Sequence, residues 1–177
     1  MNPKRPLALR VYQALTGFLF NEEGRAVPAY EHVPADYTGG SYVFLSQYTA
    51  SEQPAGICRA DLGPAWRCTL LTDALTRFPT ESQASTDPGD YLSEQVQTQL
   101  RTLAGQDLGM GFAVESVTVE LTTGFGELQG DAYWLHNTTR FAFVVRQVGN
   151  YYSLRTARIT TDTAYRLSQE AELRLLV

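Results

Sequence analysis

Cysteine is scarce in this chain of 177 residues, which holds only Cys58 and Cys68. Two thiols cannot build a disulfide framework, and their spacing lacks the paired ligands of a zinc site. They stand as free thiols, as one bridge, or as small core residues. Histidine is equally scarce, with His32 and His136, and lysine is reduced to Lys4 against 13 arginines. No run of 18 apolar residues occurs, which excludes a membrane-spanning helix. Catalytic signatures are missing too: there is no Gly-x-Ser-x-Gly elbow, no His-Glu-x-x-His and no Walker loop. Neither histidine has an acidic or nucleophilic neighbour at a recognisable spacing, so a surface or hydrogen-bonded role is expected of both. The sequence therefore predicts no catalytic residue, no cofactor and no metal.

What is present is apolar and aromatic. Hydrophobic residues make up 44% and aromatics 11%, enough to argue against disorder and for a soluble single domain over residues 1–177. The net charge of −5 disfavours a general grip on nucleic acid. Lys4, Arg5 and Arg10 precede a partly apolar stretch, as in a secretory signal. Arg10, Gln13 and Thr16 interrupt it, however, and no small-residue cleavage site follows Phe20, so a helix retained in an intracellular product is expected.

Charge is uneven along the chain. Residues 1–77 carry seven basic and seven acidic side chains, residues 78–131 one against nine, and residues 132–177 six arginines against three acids. Solvated surface explains this. So do one acidic and one basic patch that let identical subunits meet head to tail. The arginine excess suits interfaces, although a GC-rich genome produces the same bias.

Periodicity predicts a helix over about Pro6 to Phe20, with Leu7, Val11, Leu15, Phe18 and Leu19 at helical spacing, stopped by 21–24. Ala26 to Val33 reads as an edge strand or extended arm, because Pro28 removes a ladder donor. Ser41 to Thr49 and Trp66 to Thr76 read as strands, separated by a loop at Pro54 and Gly56. A second helix is expected after Asp87, which can cap it, with Pro88 at the first helical position and Leu92, Val96, Leu100 and Leu103 as its stripe. Phe112 to Thr123 alternates, with Val117, Val119 and Leu121 on one face. Residues 123–131 read as a loop, and Asn137 to Val148 as a strand with Phe141, Phe143 and Val145 opposite Arg140 and Arg146. Ser153 to Thr160 looks extended, and Thr163 to Val177 fits either a helix or a strand. Helix, strands, helix, strands implies an α+β domain, a mostly antiparallel sheet with two helices packed on one face.

Several weaker motifs have ordinary explanations. Gly105, Gly109 and Gly111, like Gly124 and Gly126, follow a helix or join strands, so they form turns and not a phosphate cradle. Glu22–Glu23 and Glu170 with Glu172 read as solvated faces. Asn137-Thr138-Thr139 matches a glycosylation acceptor only formally. Tyr12, Tyr30, Tyr42, Tyr48, Tyr91, Tyr133, Trp134, Tyr151 and Tyr152 fill a core or make a protein contact; nucleic-acid stacking lacks a basic strip.

The order of elements resembles the tail terminator (tail-completion) proteins of long-tailed bacteriophages. The segments that carry the resemblance are Leu9-Arg-Val-Tyr-Gln-Ala-Leu15, Val27-Pro-Ala-Tyr-Glu-His-Val-Pro34, Ser41-Tyr-Val-Phe-Leu45, Trp66 to Thr72, Tyr91 to Leu103 and Thr139-Arg-Phe-Ala-Phe-Val-Val145. They span a core of about residues 7–148. Residues 46–65 and the extension 149–177 are longer than the family's minimum.

The resemblance implies a structural protein, not an enzyme. It would form a homo-oligomeric ring, commonly of six subunits, that caps the tail tube and joins it to the head–tail connector protein. Its place would be the virion tail, assembled in the bacterial host cytoplasm, with tube and connector proteins as partners and neither membrane nor specific nucleic acid. The acidic 78–131 region of one subunit would then face Arg140, Arg146, Arg155 and Arg158 of the next. Two alternatives remain at this stage. One is another head–tail or tail-tube component of a phage or injection apparatus. The other is a small-molecule-binding or enzymatic α+β domain with an aromatic pocket, using His32, Asp73 and the tyrosines.

Overall fold

A computed structural model describes residues 2–35, 37–53 and 64–148. Cys58, the loop at Pro54 and Gly56, Arg155, Arg158, Tyr151, Tyr152, Glu170, Glu172 and both readings of the C-terminal extension lie outside the described residues. The elements run α1 (Lys4–Leu15), β1 (Ala29–Tyr30), β2 (Ser41–Gln53), β3 (Ala65–Phe78), a single 3-10 turn (Glu81–Gln83), α2 (Asp87–Arg101), β4 (Asp107–Gly109), β5 (Phe112–Gln129) and β6 (Ala132–Gln147). The strands form one sheet in the order β1-β2-β3-β6-β5-β4. Every pairing is antiparallel except the short β1–β2 contact. This is the α+β architecture expected from the sequence.

Burial follows the strand period. On β3 the even positions Trp66, Cys68, Leu70, Thr72 and Ala74 are buried, and on β6 the odd positions Phe141, Phe143 and Val145 are buried. Cross-strand register puts these on one face, because side chains alternate along a strand. The helices cover that face with Leu7, Val11 and Leu15 of α1 and with Leu92, Val96 and Leu100 of α2. Under α2, Ser93 and Thr122 hydroxyls lie 3.2 and 3.3 Å from Thr139 Oγ1, and Thr72 donates to the Thr139 carbonyl at 3.4 Å. These hydroxyls are thus paired with one another, as most interior polar groups are.

Four expectations need correction. The first helix ends at Leu15 and not at Phe20. Thr16 caps it with its own N–H and hydroxyl on the Tyr12 carbonyl, at 2.9 and 2.8 Å. Gly17 then turns the chain at φ +81°, a conformation only glycine adopts without strain. Leu19 nevertheless remains fully buried, so the apolar spacing past Leu15 reflects core packing by a turn.

The second correction concerns residues 123–131. They are not a loop: β5 continues to Gln129, and the turn is only Gly130–Asp131. Gly130 has φ +65°, which suits the twist of a two-residue hairpin. Gly124 and Gly126 lie within β5. A Cβ on Gly126 would collide with the Tyr133 ring, whereas one on Gly124 would only touch the His136 carbonyl at 3.6 Å, an ordinary contact. The third correction is Leu121. A register shift between Val119 and Leu121 turns it to the opposite face from Val119, where it is 54% exposed. Asp87, finally, is the first residue of α2 and does not cap it with its side chain.

The connection from α1 is fastened to α2 by one amide. Gln95 accepts from the Phe20 N–H at 3.0 Å and donates to its carbonyl at 2.7 Å. Gln95→Ala removes both bonds from a solvent-accessible site and is expected to cost about 1 kcal/mol. Urea denaturation checks this; an unchanged midpoint would show that water replaces the amide without loss.

Candidate functional site

The helices leave the other sheet face open, and the polar groups of the chain gather there. Asp73 on β3 lies opposite Thr138 on β6, and Leu75 lies opposite His136. Two-residue periodicity therefore sets Asp73, His136 and Thr138 side by side. Asp73 Oδ2 is 2.6 Å from His136 Nδ1, and Thr138 donates its hydroxyl to Asp73 Oδ1 at 3.1 Å. On the far side, Glu127 of β5 reaches His136 Nε2 at 3.3 Å. Phe125 stacks on the imidazole, with centroids 4.4 Å apart and planes 8° from parallel.

Both ring nitrogens thus face carboxylates, and the ring is only 11% exposed. A neutral imidazole has one N–H and can satisfy one carboxylate; the imidazolium satisfies both. Burial works to lower the His136 pKa, but the Asp73 hydrogen bond and charge outweigh it, helped by Glu127, and the net shift is upward. The flat face of Phe125 also favours the cation. A general base needs a free lone pair aimed at a substrate, and here both nitrogens are committed.

Aromatic rings continue the open face. Tyr30, Tyr37, Tyr42 and Trp134 meet edge to face at centroid distances of 5.7, 5.0 and 5.6 Å along the series. Tyr37 donates its hydroxyl to the Ser41 carbonyl at 2.7 Å. Burial, followed by the charges of Asp73 and Glu127, pushes the Tyr42 phenol up.

The structure places the other candidates elsewhere. His32 is exposed and lines a solvent-open cleft of about 710 Å³ beside Arg5 and Tyr48, so it does not join Asp73. Tyr48 has a buried hydroxyl without a partner among the described residues, and burial raises its pKa. Cys68 is a buried free thiol, pushed up to about 11 by burial, so it behaves as a core residue. Asn137 donates to Asp90 at 2.5 Å and Thr139 is buried. Among the described residues no group of three or more His, Cys, Asp and Glu could hold a metal ion, and no helix is long and apolar enough to cross a membrane.

The linear charge segregation largely dissolves within the sheet. Glu115 takes Arg146 at 2.8 Å, Asp131 meets Arg77 at 3.5 Å, Glu120 takes Arg67, and Glu127 takes His136. Arg146 is therefore engaged inside the subunit and is not held out for a neighbour. The acidic side chains without an ion pair among the described residues include Glu81, Asp87, Asp90 and Glu94, and all four are exposed.

The Asp73–His136 pair is not legible in the sequence, because 63 positions separate the two residues. Strand alternation in Trp66 to Thr76 and in the Phe141 strand was the one available signal, since it puts Asp73 and His136 on the non-core side of two strands. Which strands are neighbours was not readable.

No protein-family model matches the sequence, and no curated protein matches it. Thirteen chains of solved structures match. One belongs to the "Virion of native gene transfer agent (GTA) particle", with a TM-score of 0.48 and 16% identity over 76% of this chain and 91% of that chain. A likeness at that level carries no functional assignment.

Proposed function

We propose that this chain is a structural component of a phage-like virion, a tail terminator-like subunit that forms a ring, six copies in the related proteins, on the end of the tail tube and offers a surface to the head connector. It transforms no substrate. The observation that carries this reading is the distribution of exposed apolar side chains. Leu9, Tyr12, Phe18, Phe20 and Tyr91 are 40–58% exposed on and beside the helices, and Leu121, Phe125 and Leu128 are 51–74% exposed on β5. Separate apolar areas on a chain of this size mark contact surfaces, and a closed ring needs two different ones on each subunit.

Two further features agree with it. Beyond Phe112 and Ala113, which face β4, the outer edge of the long strand β5 has no partner strand among the described residues, and such an edge is a template for pairing with another chain. Of the histidines, His136 has no nitrogen left for chemistry. The element order quoted from the sequence also survives in the fold, from α1 through α2 to the Phe141 strand.

Negative-stain imaging of the protein alone and mixed with tail tubes from its own virion tests the proposal. The expected result is rings with a central opening, or caps at tube ends. A protein that neither forms rings nor binds tubes would sink it.

A further inference from the structure

We propose that the groove between α1, β1 and the turn after β4 receives Tyr91 of a second copy of this chain, so that α1 of one subunit meets the start of α2 of the next. This rests on the ring reading and names the contact that would build it.

The two helices carry opposite and unmet charge. On α1 the charges are Lys4, Arg5 and Arg10, with no acid among its 12 residues. None of the three forms an ion pair among the described residues, and Arg10 Nε is buried without a partner. Lys4 and Arg5 stand in the first turn, where the helix macrodipole opposes a cation and no acid offsets it. That arrangement weakens α1 by itself and gains from an external anion. Across the helix layer, Asp87, Asp90 and Glu94 on α2 follow Glu81, and the one basic residue of α2 is Arg101 at its far end. Apart from Glu31 on the β1 wall of the groove, the α1 surface is basic and the start of α2 acidic, and Lys4, Arg5, Arg10, Asp87, Asp90 and Glu94 form no ion pair among the described residues.

Shape accompanies charge. The groove has a volume of about 610 Å³ and is lined by Arg5, Leu9, Tyr12, Tyr30, Leu108 and Met110. Leu9 is 58% and Met110 62% exposed, so apolar walls face water. Met110 is also the single described non-glycine residue at positive φ, at +56°. A long side chain held in that strained conformation at a cavity rim points to a use for the side chain there. Tyr91, 44% exposed, stands between Asp90 and Glu94. A tyrosine projecting from an acidic surface is the kind of aromatic anchor that fills an apolar pocket, and its acidic neighbours would come to Lys4 and Arg5. Because the two patches differ, the contact is heterologous and propagates head to tail.

Sedimentation velocity on Arg5→Glu, Glu94→Arg, Tyr91→Ala and wild type tests it. The wild type is expected to sediment as an oligomer. Each variant, with wild-type circular dichroism, should need at least tenfold more protein to assemble. An equimolar mixture of Arg5→Glu and Glu94→Arg should recover assembly, because each then offers the other a complementary charge. If the wild type assembles and the variants match it, this contact is wrong while the ring reading stands. Single variants that weaken assembly without recovery on mixing also overturn the pairing. A wild type that stays monomeric up to millimolar concentration overturns this contact, and the ring reading falls with it only if tail tubes are left uncapped as well.

Discussion

Phe143→Ala lowers the stability of the subunit by about 3–5 kcal/mol, the range for removing a buried aromatic ring. Phe143 is fully buried at the middle of β6. It pairs with Cys68 on β3 and Val117 on β5, and its ring lies 6.4 Å from that of Phe141. The helices close over this face, so the lost volume cannot be refilled by solvent or by a free side chain. Chemical denaturation of the purified chain measures the loss. A cost below about 1 kcal/mol would mean that the helix layer collapses into the gap and that the two layers are less tightly packed than they look.

The second large effect depends on pH. The His136 pKa is raised in the folded chain above its ordinary value of 6.5. A raised histidine contributes stability that is complete below the unfolded pKa and is lost as pH rises through the folded pKa. The wild type should therefore weaken between about pH 6.5 and the higher folded value. Asp73→Asn takes away the larger favourable partner and keeps the shape. At pH 5.5 it is expected to cost about 2 kcal/mol, the scale of a hydrogen bond to a charged group. Well above the folded pKa, where the imidazole is neutral, the cost should shrink to a fraction of that. Denaturation curves at the two pH values test this, and an NMR titration of the His136 ring reports the pKa directly. Equal costs at both pH values would show that the imidazolium is not the species held by Asp73.

Much of the fold was legible because burial imposes its period on the sequence. The stripe Leu92, Val96, Leu100 and the alternation of Phe141, Phe143 and Val145 each had one physical solution, and the structure adopts it. The errors fall where a local rule met a tertiary contact. Gly124 and Gly126 look like loop residues, yet Tyr133 covers one and β6 backs the other. Leu121 obeys alternation in the sequence, and a bulge reverses it. The candidate site was hardest, because charge pairs such as Glu115–Arg146 depend on strand order. Counting charges along the chain predicted separate patches, whereas adjacent strands neutralise one another. The part of that expectation that persists is on α2, where Asp87, Asp90 and Glu94 form no ion pair among the described residues.

The sheet's outermost strands, β1 and β4, both touch α1, although 77 positions separate Tyr30 from Asp107. A nascent chain therefore makes α1 early but cannot complete the pocket beside it until residues near Met110 have left the ribosome. Fragments and half-folded chains would carry the cationic helix without the cavity next to it. At the proposed contact, self-association would then wait until the turn at Met110 has joined α1.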